Sequence, residues 1–333
     1  MAQYYIKFGV SRNPNAGSKA MRDIMDLLDS EGWRCVPSLP VTAPKILKIL
    51  DLPCLIFLLL FALRKGRILY FLPSNHRRVA LVNALKKAGG YRSICFINDL
   101  ETLRMPKYEK YRAGEMRSLR EADVIIAPNE NSVQILRRDF ACTATIVSVG
   151  VWDYLMPANP VRQCKGDGSI AFAGNLAKSP FVSRLGDLPL NFRVWGAKEP
   201  ETVLPPNVEY GGTAMPVEMP EKVCGCSWGL VWDGDSLSGC SGMLGNYLKF
   251  NNPHKAGLYL ASGLPLIVWS ESGTALFVEQ YGCGIVIDSL EQLPSRLEAL
   301  SAEEYDRMKK GIVPIAEKIR HGGFFLETLE KLS

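Results

Sequence analysis

The sequence predicts an α/β protein of two Rossmann-like domains whose parallel sheets face each other across a cleft. The chain has 333 residues, about the length of two ordinary domains, and 47% of them are hydrophobic, enough for two buried cores. Short β-type runs alternate with helical stretches in both halves, the pattern of parallel strands joined by helical crossovers. Between residues 152 and 168 the periodicity stops and Pro, Asn and Gly accumulate, as in a linker.

The first half, residues 1–157, is predicted to form an N-terminal domain of five strands with helices between them. The predicted strands lie near Tyr4–Phe8, Ile68–Leu72, Ser93–Ile97, Val124–Ala127 and Thr145–Val149. The predicted helices lie near Lys19–Ser30, Asn75–Lys87, Gly114–Glu121 and Glu130–Asp139.

A second α/β series begins after the linker, and we assign residues 166–310 to a C-terminal domain. Its predicted strands lie near Ser169–Ala173, Phe192–Trp195, Val208–Tyr210, Trp228–Trp232, Leu266–Trp269 and Gly284–Ile287. Its clearest predicted helices are Pro253–Ala261, Ala275–Tyr281 and Leu290–Leu300, with helical residues from Ala302 onward. We expect residues 311–333 to form a helical tail that packs on the N-terminal domain.

Charge is distributed unevenly between the two halves. Residues 1–157 hold 23 Lys and Arg against 14 Asp and Glu, whereas residues 158–333 hold 16 against 20. A basic first half indicates an anionic partner, which is a nucleic acid, a phospholipid surface or a phosphorylated substrate. Because no recognisable nucleic-acid-binding module accompanies the positive charge, we expect no nucleic-acid partner.

The nine cysteines are scattered, and no CxxC pair is present. This spacing predicts reduced thiols and a cytoplasmic location rather than a zinc or redox motif. The opening segment Met1–Val10 has the pattern of a strand and not of a signal peptide.

Ten consecutive apolar residues, Cys54–Leu63, form a run that is too short to span a membrane. Two interpretations remain open. The run is a buried helix of the first domain, or it is a partly exposed helix that enters the cytoplasmic leaflet of a membrane. In the second case the flanking basic residues would meet anionic lipid, namely Lys45, Lys48, Arg64, Lys65 and Arg67.

The segment Gly229–Trp269 carries the strongest chemical signal. A buried-type strand leads into a glycine-rich loop and then to Asn251, Asn252 and Pro253 at the predicted start of a helix. An Asn at this position can cap the free amides, and Pro suits the first helical turn. Such a helix N-terminus is a natural binding site for a diphosphate.

Four further side chains surround this helix start. Lys249 and Lys255 are candidates to neutralise phosphates, although each is also compatible with a solvated surface charge. Tyr247 is a candidate to stack on a ring or to bond a hydroxyl. His254 is interpreted as a phosphate neighbour or a structural imidazole rather than as a catalytic base.

The strings GLVWDG and NNPHKAGLYLASGLPLIVW within this segment resemble a group of bacterial glycosyltransferases with the two-domain GT-B fold. The group includes the glucosyltransferase that modifies serine-rich adhesins and the β-1,6-galactofuranosyltransferases of O-antigen. The strings FINDLETLR from Phe96, WDYL from Trp152 and AGNLAKSPF from Ala173 fit the same group. The resemblance covers about residues 5–290.

The resemblance implies that the second domain binds a UDP-sugar and that the first domain binds a glycan acceptor. For the donor it points to Gly174, Asn175, Lys178, Trp195, Gly196, Asp233 and Gly234, in addition to Tyr247, Lys249, Asn251, Asn252, His254 and Lys255. For the acceptor it points to the loop after the first strand, with Asn15, Gly17 and Ser18. A plain turn with a helix cap is the alternative for this loop.

The resemblance also implies inversion at the anomeric carbon, which requires a general base. Asp99 is the first candidate and Glu101 the second, while a helix-capping role is the alternative for Asp99. The resemblance implies that helix amides and basic side chains hold the leaving-group charge, so we expect no cofactor and no obligatory metal. The expected acceptor is a lipid-linked or a protein-linked glycan. The basic first domain is compatible with contact with the inner face of the cell membrane. Homo-oligomers are compatible with the group.

Two other functions are alternatives for this sequence. The first is a module that binds a nucleotide sugar or an anionic polymer without catalysis. The second is a sugar-nucleotide epimerase or dehydrogenase, which is disfavoured because no G-x-G-x-x-G follows the first strand and no YxxxK pair is suitably placed.

Overall fold

A computed structural model describes residues 2–6, 16–36, 51–73, 76–156 and 166–332. Within these residues the strands form two six-stranded sheets, one in each half of the chain. Every strand pair in both sheets is parallel. The predicted α/β architecture of two Rossmann-like domains is therefore confirmed.

The N-terminal sheet has the strand order β2-β1-β3-β4-β5-β6. Its strands are β1 (Gln3–Ile6), β2 (Arg34–Cys35), β3 (Arg67–Leu72), β4 (Arg92–Ile97), β5 (Val124–Ala127) and β6 (Thr145–Ser148). The central strands β3 to β5 are almost wholly buried, as expected for a parallel sheet covered on both faces. The short edge strand β2 was not predicted, because its two residues are exposed and have no apolar pattern.

Helices connect these strands and cover the sheet. They are α1 (Ala16–Ser30), α2 (Asp51–Phe57), α3 (His76–Gly89), α4 (Glu101–Arg104), α5 (Arg112–Glu121) and α6 (Glu130–Arg138). A π-helical turn, Leu58–Ala62, continues α2, and a 3₁₀ segment, Pro106–Tyr111, precedes α5.

The C-terminal sheet has the order β12-β11-β10-β7-β8-β9. Its strands are β7 (Ile170–Ala173), β8 (Phe192–Trp195), β9 (Val208–Tyr210), β10 (Trp228–Val231), β11 (Leu266–Trp269) and β12 (Gly284–Ile287). Its helices are α7 (Met219–Val223), α8 (Gly242–Tyr247), α9 (His254–Ala261), α10 (Ala275–Tyr281) and α11 (Leu293–Glu298). The short helices α7 and α8 were not predicted, since neither is long enough to show an amphipathic period.

Two helices, α12 (Ala302–Arg320) and α13 (Gly323–Glu330), end the described chain. Helix α12 runs without interruption across residue 311. Helix α13 lies against the N-terminal sheet, where the Phe325 ring packs edge-on to Phe96 at a centroid distance of 5.6 Å. The buried Asp153 accepts the backbone N–H groups of Phe324 and Phe325 at 3.3 and 2.7 Å. The end of the chain thus ties the two domains together.

The apolar run Cys54–Leu63 has two different faces. Leu55, Leu59 and Leu63 are buried at a spacing of one helical turn, whereas Phe57 and Phe61 are 61% and 64% exposed and stack on each other at 5.1 Å. The run is therefore neither fully buried nor fully exposed. Among the described residues no helix is both long and apolar enough to cross a membrane.

The oxidation state of the cysteines differs from the prediction at one position. Among the described residues seven cysteines carry free thiols, but Cys224 is disulfide-bonded. The prediction that all thiols are reduced is therefore wrong for Cys224.

Candidate active site

The strand order of the C-terminal sheet reverses direction between β7 and β10, and we call the region beyond the carboxyl ends of these two strands the switch-point crevice. The chain turns from β7 to β8 and β9 on one side and continues to β10, β11 and β12 on the other. Ligands of open α/β sheets bind at such a point. Gly174 and Asn175 follow β7 here, and Asp233 and Gly234 follow β10.

Gly196 makes a close backbone approach beside this crevice. Its φ angle is +139°, and a Cβ atom at this position would overlap the carbonyl group of Gly174. The Gly196 N–H donates to the Gly212 carbonyl oxygen at 2.9 Å, which holds the loops after β8 and β9 together. Only glycine fits this arrangement. The neighbouring Trp195 is buried in the core.

Lys255 lies at the switch-point crevice. Its Nζ donates to the Trp232 carbonyl oxygen at 2.9 Å and lies 3.5 Å from the Asp233 carboxylate. The same ammonium group lies over the Phe172 ring, 4.5 Å from its centroid. Lys178 ends a 3₁₀ turn, Leu176–Lys178, after β7 and is exposed. Two lysines therefore lie on the segments that border this crevice.

The start of α9 differs from the predicted cap. Pro253 is the N-cap residue, and no side chain caps the helix. The Asn252 amide instead donates to the carbonyl oxygens of Pro128 and Gly150 at 2.6 and 3.1 Å and accepts a hydrogen bond from Asn129. The prediction of an Asn cap is therefore wrong, because the amide satisfies buried carbonyls of the N-terminal domain. The Asn251 carbonyl also accepts a hydrogen bond from Asn129.

His254 stacks on Tyr154 with a centroid distance of 4.7 Å. Burial, together with the nearby Lys19 ammonium, lowers the pKa of its imidazole to about 3. The ring is consequently neutral at physiological pH. A neutral imidazole has no positive charge with which to attract a phosphate, so His254 is not a cationic phosphate ligand.

Lys249 lies apart from Lys255, at the ends of β11 and β12. Its Nζ is 2.6 Å from the Glu271 carboxylate and lies over the Trp269 ring. Together with the loop after β10 it lines a cavity of about 520 Å³, which we call the glycine-loop cavity. The other lining residues include Ser238, Gly239, Ser241 and Asp288. Lys249 precedes α9 in the sequence and Lys255 lies in its first turn, but the first lines the glycine-loop cavity and the second lies at the switch-point crevice.

Asp99 lies at the domain interface, directly after β4. Its carboxylate accepts the Tyr247 hydroxyl at 3.1 Å and pairs with Arg104 at 3.1 Å. The Tyr247 hydroxyl also accepts the Leu100 N–H at 2.8 Å. Burial raises the pKa of Asp99, which Arg104 and Tyr247 partly counteract. Tyr247, predicted as a ligand contact, directs its hydroxyl to the other domain.

The remaining predicted site residues belong to the N-terminal domain. Glu101 begins α4 and lines a cavity of about 690 Å³. Gly17 is exposed in the first turn of α1, and Ser18 is buried there and accepts a hydrogen bond from Arg22 at 3.1 Å. Asn15 lies outside the described residues.

Two residues near these sites were not singled out from the sequence. Asn129 caps α6 in a reciprocal capping box with Ser132 and also bonds to the start of α9. The spacing of Asn129 and Ser132 signals the cap but not the bonds to the other domain. Tyr210 ends β9, is partly exposed and donates to the Gly196 carbonyl oxygen at 3.0 Å. Its only sequence signal is the Gly-Gly pair that follows it.

Within the described ranges no group of three or more His, Cys, Asp or Glu side chains is placed to hold a metal ion. In the part of the chain that the structure describes, Lys178 and Lys255 supply positive charge at the switch-point crevice.

Comparison with known proteins identifies the family. Residues 3–151 match the N-terminal domain, and residues 170–332 the C-terminal domain, of the family described as glucosyltransferase 3-like. The chain is 27% identical over 326 residues to the β-1,6-galactofuranosyltransferase WbbI of Escherichia coli strain K12. The aligned region covers 96% of this chain and 94% of that protein.

Solved structures share the fold at low sequence identity. Sucrose-phosphate synthase from Thermosynechococcus elongatus has a TM-score of 0.62 at 13% identity, with 100% of both chains covered. HepE of Anabaena in complex with UDP has a TM-score of 0.60 at 12% identity, with 100% of this chain and 99% of that chain covered. The chain therefore belongs to the glucosyltransferase 3-like family and is a glycosyltransferase with the GT-B fold.

Proposed function

We propose that the protein is an inverting hexosyltransferase that moves galactofuranose or glucose from a UDP-sugar to a glycan acceptor in the synthesis of a cell-surface polysaccharide or glycoprotein. The family name supports glucose, and the Escherichia coli relative, which matches nearly the whole chain, supports galactofuranose. The HepE structure, which has the same fold, contains UDP. The observation that carries the proposal is a partly buried carboxylate, Asp99, held at the interface to the donor domain by Tyr247.

The donor is proposed to bind at the switch-point crevice. Gly174 and Gly234 lie just beyond the two strand ends, and the Lys255 ammonium lies beside these strand ends, where the diphosphate would sit. Lys178 is exposed nearby and long enough to reach a phosphate. Lysine side chains stabilise the negative charge that develops on UDP as it leaves, so this chemistry requires no metal.

Asp99 is proposed to be the general base. The acceptor hydroxyl oxygen forms a bond to the anomeric carbon from the face opposite UDP, the bond to the β-phosphate oxygen breaks, and UDP departs with that electron pair. The hydroxyl proton passes to the Asp99 carboxylate. A raised pKa suits this role, because a more basic carboxylate is a better proton acceptor. Arg104 and Tyr247 fix the carboxylate in place.

A lipid-linked acceptor is favoured over a protein-linked one by the exposed face of α2. Four apolar side chains are exposed there, Leu52, Ile56, Phe57 and Phe61, and the exposed Arg64 and Lys65 follow them. Apolar rings next to basic side chains suit an anionic membrane surface. We propose that this surface, the α2 face, docks on the inner face of the membrane.

The test is calorimetric titration of the protein with UDP, GDP, ADP, UDP-glucose, UDP-galactose and UDP-galactofuranose without added metal. Binding selective for the uridine compounds is expected, and the tightest sugar nucleotide identifies the donor. Equal binding of all nucleotides, or no binding, would contradict the proposal and favour a non-catalytic module for anionic polymers. Repeating the titration with EDTA and with Mg²⁺ checks that binding is independent of metal.

A further inference from the structure

A cavity of about 690 Å³ lies in the N-terminal domain and is not explained by donor binding. Its size falls within the usual range for small-ligand sites. It is lined by three rings, two carboxyl groups and one guanidinium, and we call it the aromatic cavity. These lining residues are His76, Tyr108, Tyr111, Glu101, Glu115 and Arg77.

The aromatic cavity adjoins the proposed base. It forms at the carboxyl ends of the neighbouring strands β3 and β4, where Pro73 contributes to its wall. The Asp99 N–H donates to the Leu72 carbonyl oxygen at 3.1 Å, directly before Pro73. Glu101, which also lines the cavity, is two residues beyond Asp99. The cavity and the backbone of Asp99 therefore lie at the same two strand ends, although Asp99 is not one of the lining residues.

The three rings form a continuous apolar wall. The His76 and Tyr111 centroids are 5.7 Å apart, and the Tyr108 and Tyr111 centroids are 6.3 Å apart. Gly114 leaves room for the His76 ring, since a Cβ there would lie 2.9 Å from it. The His76 Nδ1 atom is buried without a hydrogen-bond partner and lies on the side of the ring that faces Gly114, so the ring contributes an apolar face to the cavity.

The two carboxyl groups have different roles. Glu115 is buried and accepts hydrogen bonds from the Glu101 N–H at 3.1 Å and from the Thr102 hydroxyl. It therefore fixes the start of α4. Among the described residues no hydrogen bond or ion pair occupies the Glu101 carboxylate, which leaves both of its oxygens available as acceptors.

We infer that the aromatic cavity binds the sugar ring of the acceptor that carries the attacked hydroxyl. The inference rests on the proposed function and makes it more specific. A pyranose ring offers apolar C–H faces to aromatic rings and hydroxyl groups to carboxylates, and the cavity supplies both partners. In this assignment the ring packs on the aromatic wall, one hydroxyl bonds to Glu101, and the attacked hydroxyl extends out of the cavity toward Asp99. Glu101 is therefore a binding residue and not the base.

The test is saturation-transfer NMR on the full-length protein with UDP present, using octyl β-glycosides of glucose, galactose and N-acetylglucosamine as probes. Tyr111→Ala and Glu101→Gln are each expected to weaken binding of the preferred glycoside about tenfold. Tyr111→Phe keeps the ring and should bind as the wild type does. Glu109→Gln is the matched control, because Glu109 is exposed on the same segment and does not line this cavity.

The affinity for UDP separates the two proposals. If Tyr111→Ala and Glu101→Gln bind UDP and the glycoside as the wild type does, the acceptor assignment is wrong while the proposed function stands. If the wild type binds UDP but none of the glycosides, the cavity is not a hexose site. If the wild type does not bind UDP, the proposed function itself fails.

Discussion

Single residues at the domain interface combine structural and chemical roles. Asn252 and Tyr247 stand in the segment that most resembles a ligand site, yet their polar groups bond across the interface to the N-terminal domain. Buried amides and hydroxyls need hydrogen-bond partners, and at this position protein atoms provide them. Asp99 receives one of these bonds. The interface therefore holds the proposed base in a defined position before any substrate binds.

Replacing Asp99 by Asn tests the base at this scale. We expect Asp99→Asn to lower kcat about 100-fold to 10,000-fold, because the amide cannot accept the acceptor proton. UDP affinity should stay within about twofold, since the donor crevice is in the other domain. Steady-state rates with the donor identified by calorimetry and direct UDP titration provide the two measurements. Transfer by Asp99→Asn at the wild-type rate would rule out this base.

The pH dependence of the wild type follows from the same residue. The base acts when deprotonated, so kcat/KM should fall as the pH drops through the raised pKa of Asp99. The hydrogen bond from Tyr247 lowers that pKa, so Tyr247→Phe should move the acid limb of the profile to higher pH. An acid limb that stays in place in Tyr247→Phe would show that another group controls it.

The two lysines near α9 are predicted to differ in how much they contribute to UDP binding. Lys255→Met removes the ammonium group that lies over Phe172 but keeps an unbranched apolar side chain, and it should weaken UDP binding about tenfold to 100-fold. Lys249→Met is the matched comparison and should have a smaller effect, because its ammonium is paired with Glu271 at the glycine-loop cavity. Calorimetry with UDP measures both. The reverse order of effects would place the diphosphate at the glycine-loop cavity.

At the scale of elements, the loops after parallel strands create the crevice, and close backbone packing fixes their shape. The loops after β7 and β8 approach each other where Gly196 faces the Gly174 carbonyl. This packing determines where Asn175 and the following 3₁₀ turn lie. Position 196 must therefore be glycine because the ends of β7 and β8 lie so close together that a side chain would overlap the Gly174 carbonyl.

Gly196→Ala should therefore destabilise the protein by about 3 kcal/mol, because the added methyl overlaps backbone and φ is +139°. Gly263→Ala is the control. It also has a positive φ, but nothing lies within 4 Å of the new Cβ, so its cost should be about 1 kcal/mol. Urea unfolding followed by tryptophan fluorescence compares them. Equal midpoints for the two variants would show that the close approach is absent in solution.

At the scale of the whole molecule, the domains are connected by more than the linker. Phe325 of α13 packs on Phe96, and Asp153 binds the first turn of α13. Burial raises the pKa of Asp153 to about 7, although the two N–H donors oppose this shift. One hydrophobic cluster runs from the N-terminal strands through Trp152 to the C-terminal helices. The relative position of the two domains is thus fixed by packing as well as by the linker.

The α2 face gives a prediction at this scale. The double variant Phe57→Ser and Phe61→Ser should reduce co-sedimentation with vesicles of phosphatidylglycerol and phosphatidylcholine about tenfold, because both exposed rings are lost. Val313→Ser is the matched control, since Val313 is 61% exposed on α12. Salt should weaken wild-type binding, because Arg64 and Lys65 attract the anionic lipid. Equal sedimentation of the wild type and the double variant would contradict membrane docking by this face.

The sequence by itself determined the fold class, most of the strands and the family. These follow from local signals: apolar runs of four to six residues between turn residues identify buried parallel strands, and the strings around Gly229–Trp269 carry the family resemblance. Strands such as Phe192–Trp195 and Leu266–Trp269 were predicted with their observed bounds. Short elements such as β2 and α8 were missed because they contain too few residues to show a period.

Only the tertiary structure decided which polar side chains of the predicted site bond to protein. Lys249 and Lys255 are six positions apart in sequence, but one pairs with Glu271 and the other lies at the ends of β7 and β10. The partners of Tyr247 and Asn252 are more than 100 positions away along the chain. Such contacts arise from the packing of two domains, and local sequence patterns carry no information about them.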